Sequence, residues 1–349
     1  MSIWVLGATG RVGRAVTTRL LDRGETVVLV GRESARLREI AANTGLRVVI
    51  ADTTESIAAA IRKERPTVVI NTIGNYAESA TTIARACMPG GHYLDQAADL
   101  AAVPRLLGLD DEAAAAGSTL VTGAGFGVLA TEAVVATLCE GRPAPAAVRV
   151  DAVASVAVED GMLGTALAAS LVDVLATGGR RYRGGRLVKS RIGAGAQRLT
   201  LPDGEQATTF EAPSAELLAA QRAGDAPDVT VTTAVLPVPP MIRALLPLTG
   251  RLLALEPVRR FAIRRMEGIR AKAAPRPRTH SWGHAVVTWP DGTSREGWLR
   301  ADEAMDFTSG TSAEVAVRLA RGEGKPGAYT PAAAFGPDLA TAAGGEIIS

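Results

Sequence analysis

The chain has 349 residues, 47% of them hydrophobic and 21% charged, the proportions of a globular protein long enough for two domains. Lys and Arg number 38 against 36 Asp and Glu, a formal charge of +2, so no global field draws the chain to nucleic acid and such a role would need a local patch. Cys87 and Cys139 lie in apolar, helix-like sequence without metal or disulfide spacing, which fits a reducing cytoplasm. A signal peptide is not expected, because no basic leader precedes the first apolar run and glycines follow it at once; nor is a membrane-spanning run, because the most apolar stretch, 235–255, is interrupted by prolines and by Arg243 and Arg251.

Ile3–Leu6 reads as a strand that runs into GATGRVG, three glycines at intervals of three, and then into Val12, Ala15, Val16 and Leu20 on one helical face. In that setting Gly7 allows a tight turn, Gly10 lets the backbone approach a ligand, and Gly13 lets the helix pack closely on the sheet. The helix start offers N–H groups and a positive dipole end suited to a pyrophosphate, and Thr9, Arg11 and Val12 line the same turn. Val27–Val30 is the second strand and ends in Gly31-Arg32-Glu33. An NAD site usually carries an acidic residue there for the ribose 2′-OH. A guanidinium pairs instead with the 2′-phosphate of NADP(H), with Arg36 and Arg11 adding charge, so Arg32 is read as that partner rather than as a solvated surface residue.

Val48–Ile50 is the third strand, followed by Asp52, which either reaches the adenine amino group or caps the next helix. Val68–Asn71 is the fourth, and Asn71, Thr72 and Gly74 close it where the cofactor extends toward nicotinamide. Tyr76 follows, with a phenol that donates a proton or stacks on nicotinamide, or else is an ordinary half-buried aromatic. In His92–Asp95, the fifth strand, ligand-binding positions lie at the carboxyl end, so His92 reads as structural. Asp95 and Gln96 face the useful edge; Asp95 is either a catalytic candidate or a cap. Thr119–Thr122 is the sixth strand. Continuous Val/Ile/Leu runs separated by helical patterns predict a doubly wound parallel α/β sheet of the Rossmann type.

After Phe126 the texture changes. Asp228–Leu236 alternates like a half-buried antiparallel strand, and Pro-Asp-Gly turns at 202–204 and 290–292 predict hairpins. Helical patterns at 162–175, 215–223 and 257–272 interrupt them, so a second α+β domain on a mainly antiparallel sheet is expected. His280 and His284 flank Trp282 at the start of a strand and read as strand-surface residues. The segment 257–278 holds eight Arg and Lys on a helical pattern with Val258, Phe261, Ala262 and Met266. It is either a solvated face or a surface for an acidic carrier protein, an anionic substrate or a membrane.

VVINTIGNY (68–76), GGHYLDQAAD (90–99), PSAELLAAQRAGDAPDVTV (213–231) and KPGAYTPAAAFG (325–336) resemble, in order and at similar separations, the saccharopine dehydrogenase-like oxidoreductases, a group that includes trans-acting enoyl reductases. Two positions depart from many relatives: Asn75 stands for a proline and Gly127 for an aspartate. The resemblance implies NADP-dependent reduction, with Gly7, Gly10 and Gly13 on the pyrophosphate, Arg32 on the 2′-phosphate and 71–76 at the nicotinamide end. It also implies a Rossmann domain (1–125), a substrate and dimerisation domain (126–322) and a terminal segment (323–349) returning to the first. The expected protein is a cytoplasmic, homodimeric NADPH-dependent reductase of a C=C or C=N bond in a small or carrier-bound metabolite. A non-catalytic NADPH-binding regulator or interaction protein is the alternative.

Overall fold

The computed structural model describes residues 1–162, 172, 174–234, 249–250, 252–253 and 255–348. They form two compact units, one of residues 1–97, 101–125 and 305–335, the other of 98–100, 126–304 and 336–349.

The first unit is built on β1 (Ile3–Leu6), β2 (Val27–Gly31), β3 (Arg47–Ile50), β4 (Val68–Asn71), β5 (His92–Asp95) and β6 (Thr119–Val121), joined by a strand at Gly327–Tyr329. The sheet order is Gly327–Tyr329, β6, β5, β4, β1, β2, β3, and every pairing is parallel. Strand order therefore reverses between β1 and β4, the switch point at which open α/β sheets bind ligands. Strands β1 and β4 are buried at every position, as strands covered on both faces must be, and Trp4, Leu6, Val30, Ile61, Val69 and Ile83 belong to one core cluster.

Helices α1 (Arg11–Leu21), α2 (Ser34–Thr44), α3 (Thr54–Glu64) and α4 (Tyr76–Cys87) fill the crossovers. Helix α1 buries Gly13, Val16, Thr17 and Leu20. Thr53, not Asp52, is the N-cap of α3: its hydroxyl accepts from the Ser56 N–H at 3.1 Å in a capping box, so the capping role considered for Asp52 belongs to its neighbour. His92 begins β5 and its Nδ1 accepts from the Thr119 N–H at 3.0 Å, a structural tie at the edge away from the switch point. Cys87 is buried and its thiol is pushed far up by burial, the state of an inert core residue.

The second unit holds β7 (Ala147–Val153), β8 (Gly161–Met162), β9 (Gly179–Arg183), β10 (Arg186–Ser190), β11 (Gln197–Thr200), β12 (Gln206–Glu211), β13 (Asp228–Thr233), β14 (Arg270–Ala271), β15 (Ser281–Thr288) and β16 (Ser294–Ala301). In chain order the strand Gly327–Tyr329 is β17, and β18 (Glu346–Ile348) closes the second sheet against β16. Both Pro-Asp-Gly turns make hairpins, β11–β12 and β15–β16. Strand β13 is antiparallel to β9 and β12 but parallel to β7, a departure from the expected antiparallel strand. Alternation in DVTVTT reports which face is buried and carries no information on the direction of a neighbour. Residues 235–236 of that run, and most of the expected helix at 162–175, lie outside the described residues; Met162 itself closes β8.

The helix Phe126–Cys139 packs on β15 and β16 through glycines: a Cβ on Gly283 would sit 2.7 Å from Ala130 Cβ, and one on Gly297 would sit 3.1 Å from Val134 Cγ1. A Cβ on Gly127 would collide with the Glu216 carboxylate, which occupies the space that the missing side chain leaves.

The division differs from the expected segments. The return to the first unit begins at Met305, because Ser312 in the helix Ala304–Ala320 accepts from Gln96 at 2.8 Å and donates to the Ala124 carbonyl at 3.1 Å. Arg19 adds an ion pair to Asp306 at 2.8 Å. The chain leaves again at Gly336, where the final residues supply β18 to the other sheet.

Two predictions follow from this packing. Gly13→Ala places a methyl group against the Gly7 carbonyl and 2.9 Å from Ala8 Cα, and costs about 2–3 kcal/mol in urea unfolding; an unchanged midpoint contradicts the close approach. Glu216 is buried, one carboxylate oxygen has no hydrogen-bond partner, and burial raises its pKa. Its unfolded pKa is the lower one, so its stability contribution is complete below that value and declines as pH rises through the folded one. Glu216→Gln removes the decline and is the more stable protein at pH 8, with the gap closing toward pH 4.5; a pH-independent gap contradicts the assignment.

Candidate functional site

The parallel sheet brings the carboxyl ends of β1, β2, β3, β4, β5 and β6 to one edge of the first unit, and every candidate residue of that unit lies there. Gly7 has φ +77°, the left-handed conformation that a side chain resists, and a Cβ there would lie 2.8 Å from Thr72 Oγ1. The Gly10 N–H returns to the Gly7 carbonyl at 2.9 Å, and the first helical bond runs from the Arg14 N–H to the Gly10 carbonyl at 2.9 Å. Gly10 is extended and exposed at the N-cap with no side chain over the helix start. Thr9, Arg11 and Val12 border the turn and are half-buried. The result is a short, tightly closed turn ending on a helix N-terminus, whose leading N–H groups lack intrahelical partners. Two of its glycines cannot be replaced without collision.

Arg32 follows β2 directly and is exposed, with no ion-pair partner among the described residues. Glu33, which complicates its charge, lies 3.9 Å from Arg36 instead. Asp52 is exposed after β3, in contact with Ser56 Oγ at 3.5 Å.

At β4 and β5 the structure shows a polar chain that the sequence reading missed. Asn71 and Asp95 are register partners on adjacent strands and are fully buried. Each folds the next turn back on itself: Asn71 Oδ1 accepts from the Ile73 N–H at 3.1 Å, and Asp95 Oδ1 from the Ala97 N–H at 3.0 Å. The Tyr93 hydroxyl joins them, accepting from Asn71 Nδ2 at 3.0 Å and donating to Asp95 Oδ2 at 3.0 Å. The Thr122 hydroxyl, at 2.8 Å, and the Gly123 N–H, at 3.3 Å, complete the Asp95 shell from the β6 side. Burial raises the Asp95 carboxyl, and these donors oppose the shift. Thr72 pins β4 to β1 by donating to the Leu6 carbonyl at 2.7 Å.

Gly74 and Asn75 both have positive φ, and Tyr76 opens α4 with its ring partly buried against the core cluster. Tyr93 had a legible signal: it stands two residues before Asp95 and so projects to the same face of β5.

The second unit contains a cluster that corrects the surface role expected for His284. His284 is 3% exposed; its Nδ1 lies 2.8 Å from Asp151 Oδ2 and its Nε2 lies 2.9 Å from Glu296 Oε1. It stacks on Trp298 with ring centroids 3.9 Å apart. Arg149 at 2.7 Å, Thr209 at 3.0 Å and Thr232 also donate to Asp151. Burial would raise the Asp151 carboxyl, but the His284 and Arg149 hydrogen bonds, the Arg149 charge and Thr232 hold it well below the usual carboxylate range. These contacts fasten β7, β12, β13, β15 and β16 together. No group of His, Cys, Asp and Glu suited to a metal ion is found among the described residues.

Residues 7–111 match the family model described as NAD(P)H-binding. No curated protein matches the sequence. Among solved structures, apo saccharopine dehydrogenase (L-Glu forming) from Saccharomyces cerevisiae is similar over 100% of both chains, at 12% identity and a TM-score of 0.62. A short-chain dehydrogenase from Sphingobium yanoikuyae in complex with NADPH aligns with 35% of this chain and 70% of its own, at 20% identity and a TM-score of 0.28.

Tyr93→Phe tests the polar chain: it leaves Asn71 and Asp95 each short of a buried partner and costs about 1–3 kcal/mol in thermal unfolding. A melting temperature equal to that of the parent contradicts the proposed bridge.

The chain thus carries an NAD(P)H-binding Rossmann domain within a saccharopine dehydrogenase-like fold.

Proposed function

We propose that the protein is an NADPH-dependent oxidoreductase that reduces a C=C or C=N bond of a small or carrier-bound metabolite. The observation that carries this reading is the turn at 7–13 opposite an exposed Arg32. Gly7 and Gly13 let the turn close tightly against Thr72 and the helix start, Gly10 leaves the exposed N-cap without a side chain, the helix start supplies N–H donors for a diphosphate, and Arg32 stands where the adenosine ribose is expected. The saccharopine dehydrogenase-like fold supports the oxidoreductase class, and the sequence motifs support the choice of NADPH over NADH.

The residues fit the cofactor in defined roles. Gly7, Gly10 and Gly13, with Thr9, Arg11 and Val12, wrap the pyrophosphate through backbone N–H groups. Arg32 would hold the 2′-phosphate through charge-assisted hydrogen bonds, Arg36 would add charge, and Asp52 would stand on the adenine side. Asn71, Thr72 and Gly74 shape the turn at the nicotinamide end. Bound NADPH supplies a hydride equivalent from its nicotinamide ring.

Asp95 was a catalytic candidate; with its oxygens held by Ala97, Thr122, Gly123 and Tyr93 we assign it a positioning role that fixes the β5 and β6 turns. Tyr76, partly packed on the core at the first turn of α4, sets the border of the 71–75 turn, and its ring is the aromatic surface this edge offers to nicotinamide.

Titration by calorimetry tests the reading. NADPH binds at least tenfold tighter than NADH, and Arg32→Ala weakens NADPH by about 10–100-fold while leaving NADH unchanged, the worth of a charge-assisted contact. Binding of neither nucleotide overturns the cofactor assignment; a preference for NADH overturns the role of Arg32.

A further inference from the structure

Charge is unevenly spread along the chain. Residues 255–278 hold eight Arg or Lys against two Glu, a surplus of +6, while the whole chain carries +2 and the remainder is therefore net −4. Four of the eight cations sit on the helix Glu256–Glu267, none of whose residues is buried, and the other four follow it at 270–278. Its half-buried positions, Arg259, Ala262, Ile263, Met266 and Glu267, form one stripe at helical spacing. The opposite stripe presents Pro257, Val258, Arg260, Phe261, Arg264 and Arg265, all exposed.

Apolar exposure recurs at every third residue through this region: Leu252 at 54%, Leu255 at 57%, Val258 at 37% and Phe261 at 69%. A phenylalanine standing out on the solvent side of a helix is costly in water. Glu256 engages Arg259 at 3.5 Å and Arg260 at 3.4 Å, but Arg264 and Arg265, which flank Phe261 on the wheel, have no acidic partner among the described residues.

We propose that this helix docks on an anionic lipid surface, with Arg260, Arg264 and Arg265 against the headgroups and Phe261 inserted below them. A bilayer interface accepts cations and apolar side chains from the same helix face at once. An acidic protein would satisfy the arginines and would need a matching pocket for each protruding apolar residue. No helix among the described residues is long and apolar enough to cross a membrane. This inference is independent of the cofactor assignment.

Co-sedimentation of the full chain with vesicles tests it. The protein pellets with phosphatidylglycerol–phosphatidylcholine vesicles and not with phosphatidylcholine alone, and the interaction weakens as salt rises. Each basic residue near the surface contributes about fivefold, so R264E/R265E abolishes pelleting. Phe261→Ser lowers the partition coefficient about tenfold. The melting temperatures of the variants, equal to that of the parent, show that they fold. Equal partition onto neutral and anionic vesicles, or full binding by either variant, overturns the proposal. Capture on polyglutamate beads without vesicle binding overturns it in favour of an acidic protein partner.

Discussion

Residues 7 and 13 approach so closely that the carbonyl of one occupies the space where the other would carry a side chain. That contact lets α1 begin directly beneath the end of β1, and it decides what the edge of the sheet can hold. A helix seated farther away would aim its N-terminal amides past any ligand at the switch point. Seated here, it presents the N-terminal end of one helix at that edge, where the proposed function puts the diphosphate. The left-handed Gly7 and the hydroxyl of Thr72, which bonds the Leu6 carbonyl, hold the turn from the other side.

The remainder of that edge is made rigid by buried polar groups. Asn71, Tyr93, Asp95 and Thr122 form one line across three adjacent strands. In a low-dielectric interior, a fully satisfied chain of this kind fixes one geometry, because any displacement strands a donor or an acceptor. The turns at 71–75 and 95–97 are thus set by the strands beneath them, and Asp95 has both carboxylate oxygens engaged in that framework. The second unit uses the same device on a larger scale, with Asp151 and His284 at the centre of a sheet face.

Much of the first unit was legible because parallel strands covered on both faces leave continuous apolar runs; Ile3–Leu6, Val68–Asn71 and His92–Asp95 coincide with the observed strands. The glycine triplet was legible because it follows a strand and opens a helix, where a left-handed turn and close packing both call for glycine. What the sequence concealed depends on contacts between distant residues. His284 looks like any strand residue until β7 places Asp151 directly opposite it. The parallel pairing of β13 with β7 leaves no mark in the alternation of either strand. The return of the chain at Met305, and its departure at Gly336, turn on Ser312 and on an edge strand of three residues, neither of which has a local signature.

Hydrogen–deuterium exchange, with and without NADPH, tests the central claim most directly. If the amino-terminal turn wraps the diphosphate and Arg32 receives the added phosphate, amides of 8–14 and 32–36 slow markedly with NADPH, and those of 8–14 slow less with NADH. Cofactor binding that leaves the 8–14 amides exchanging at their free rate would contradict the account.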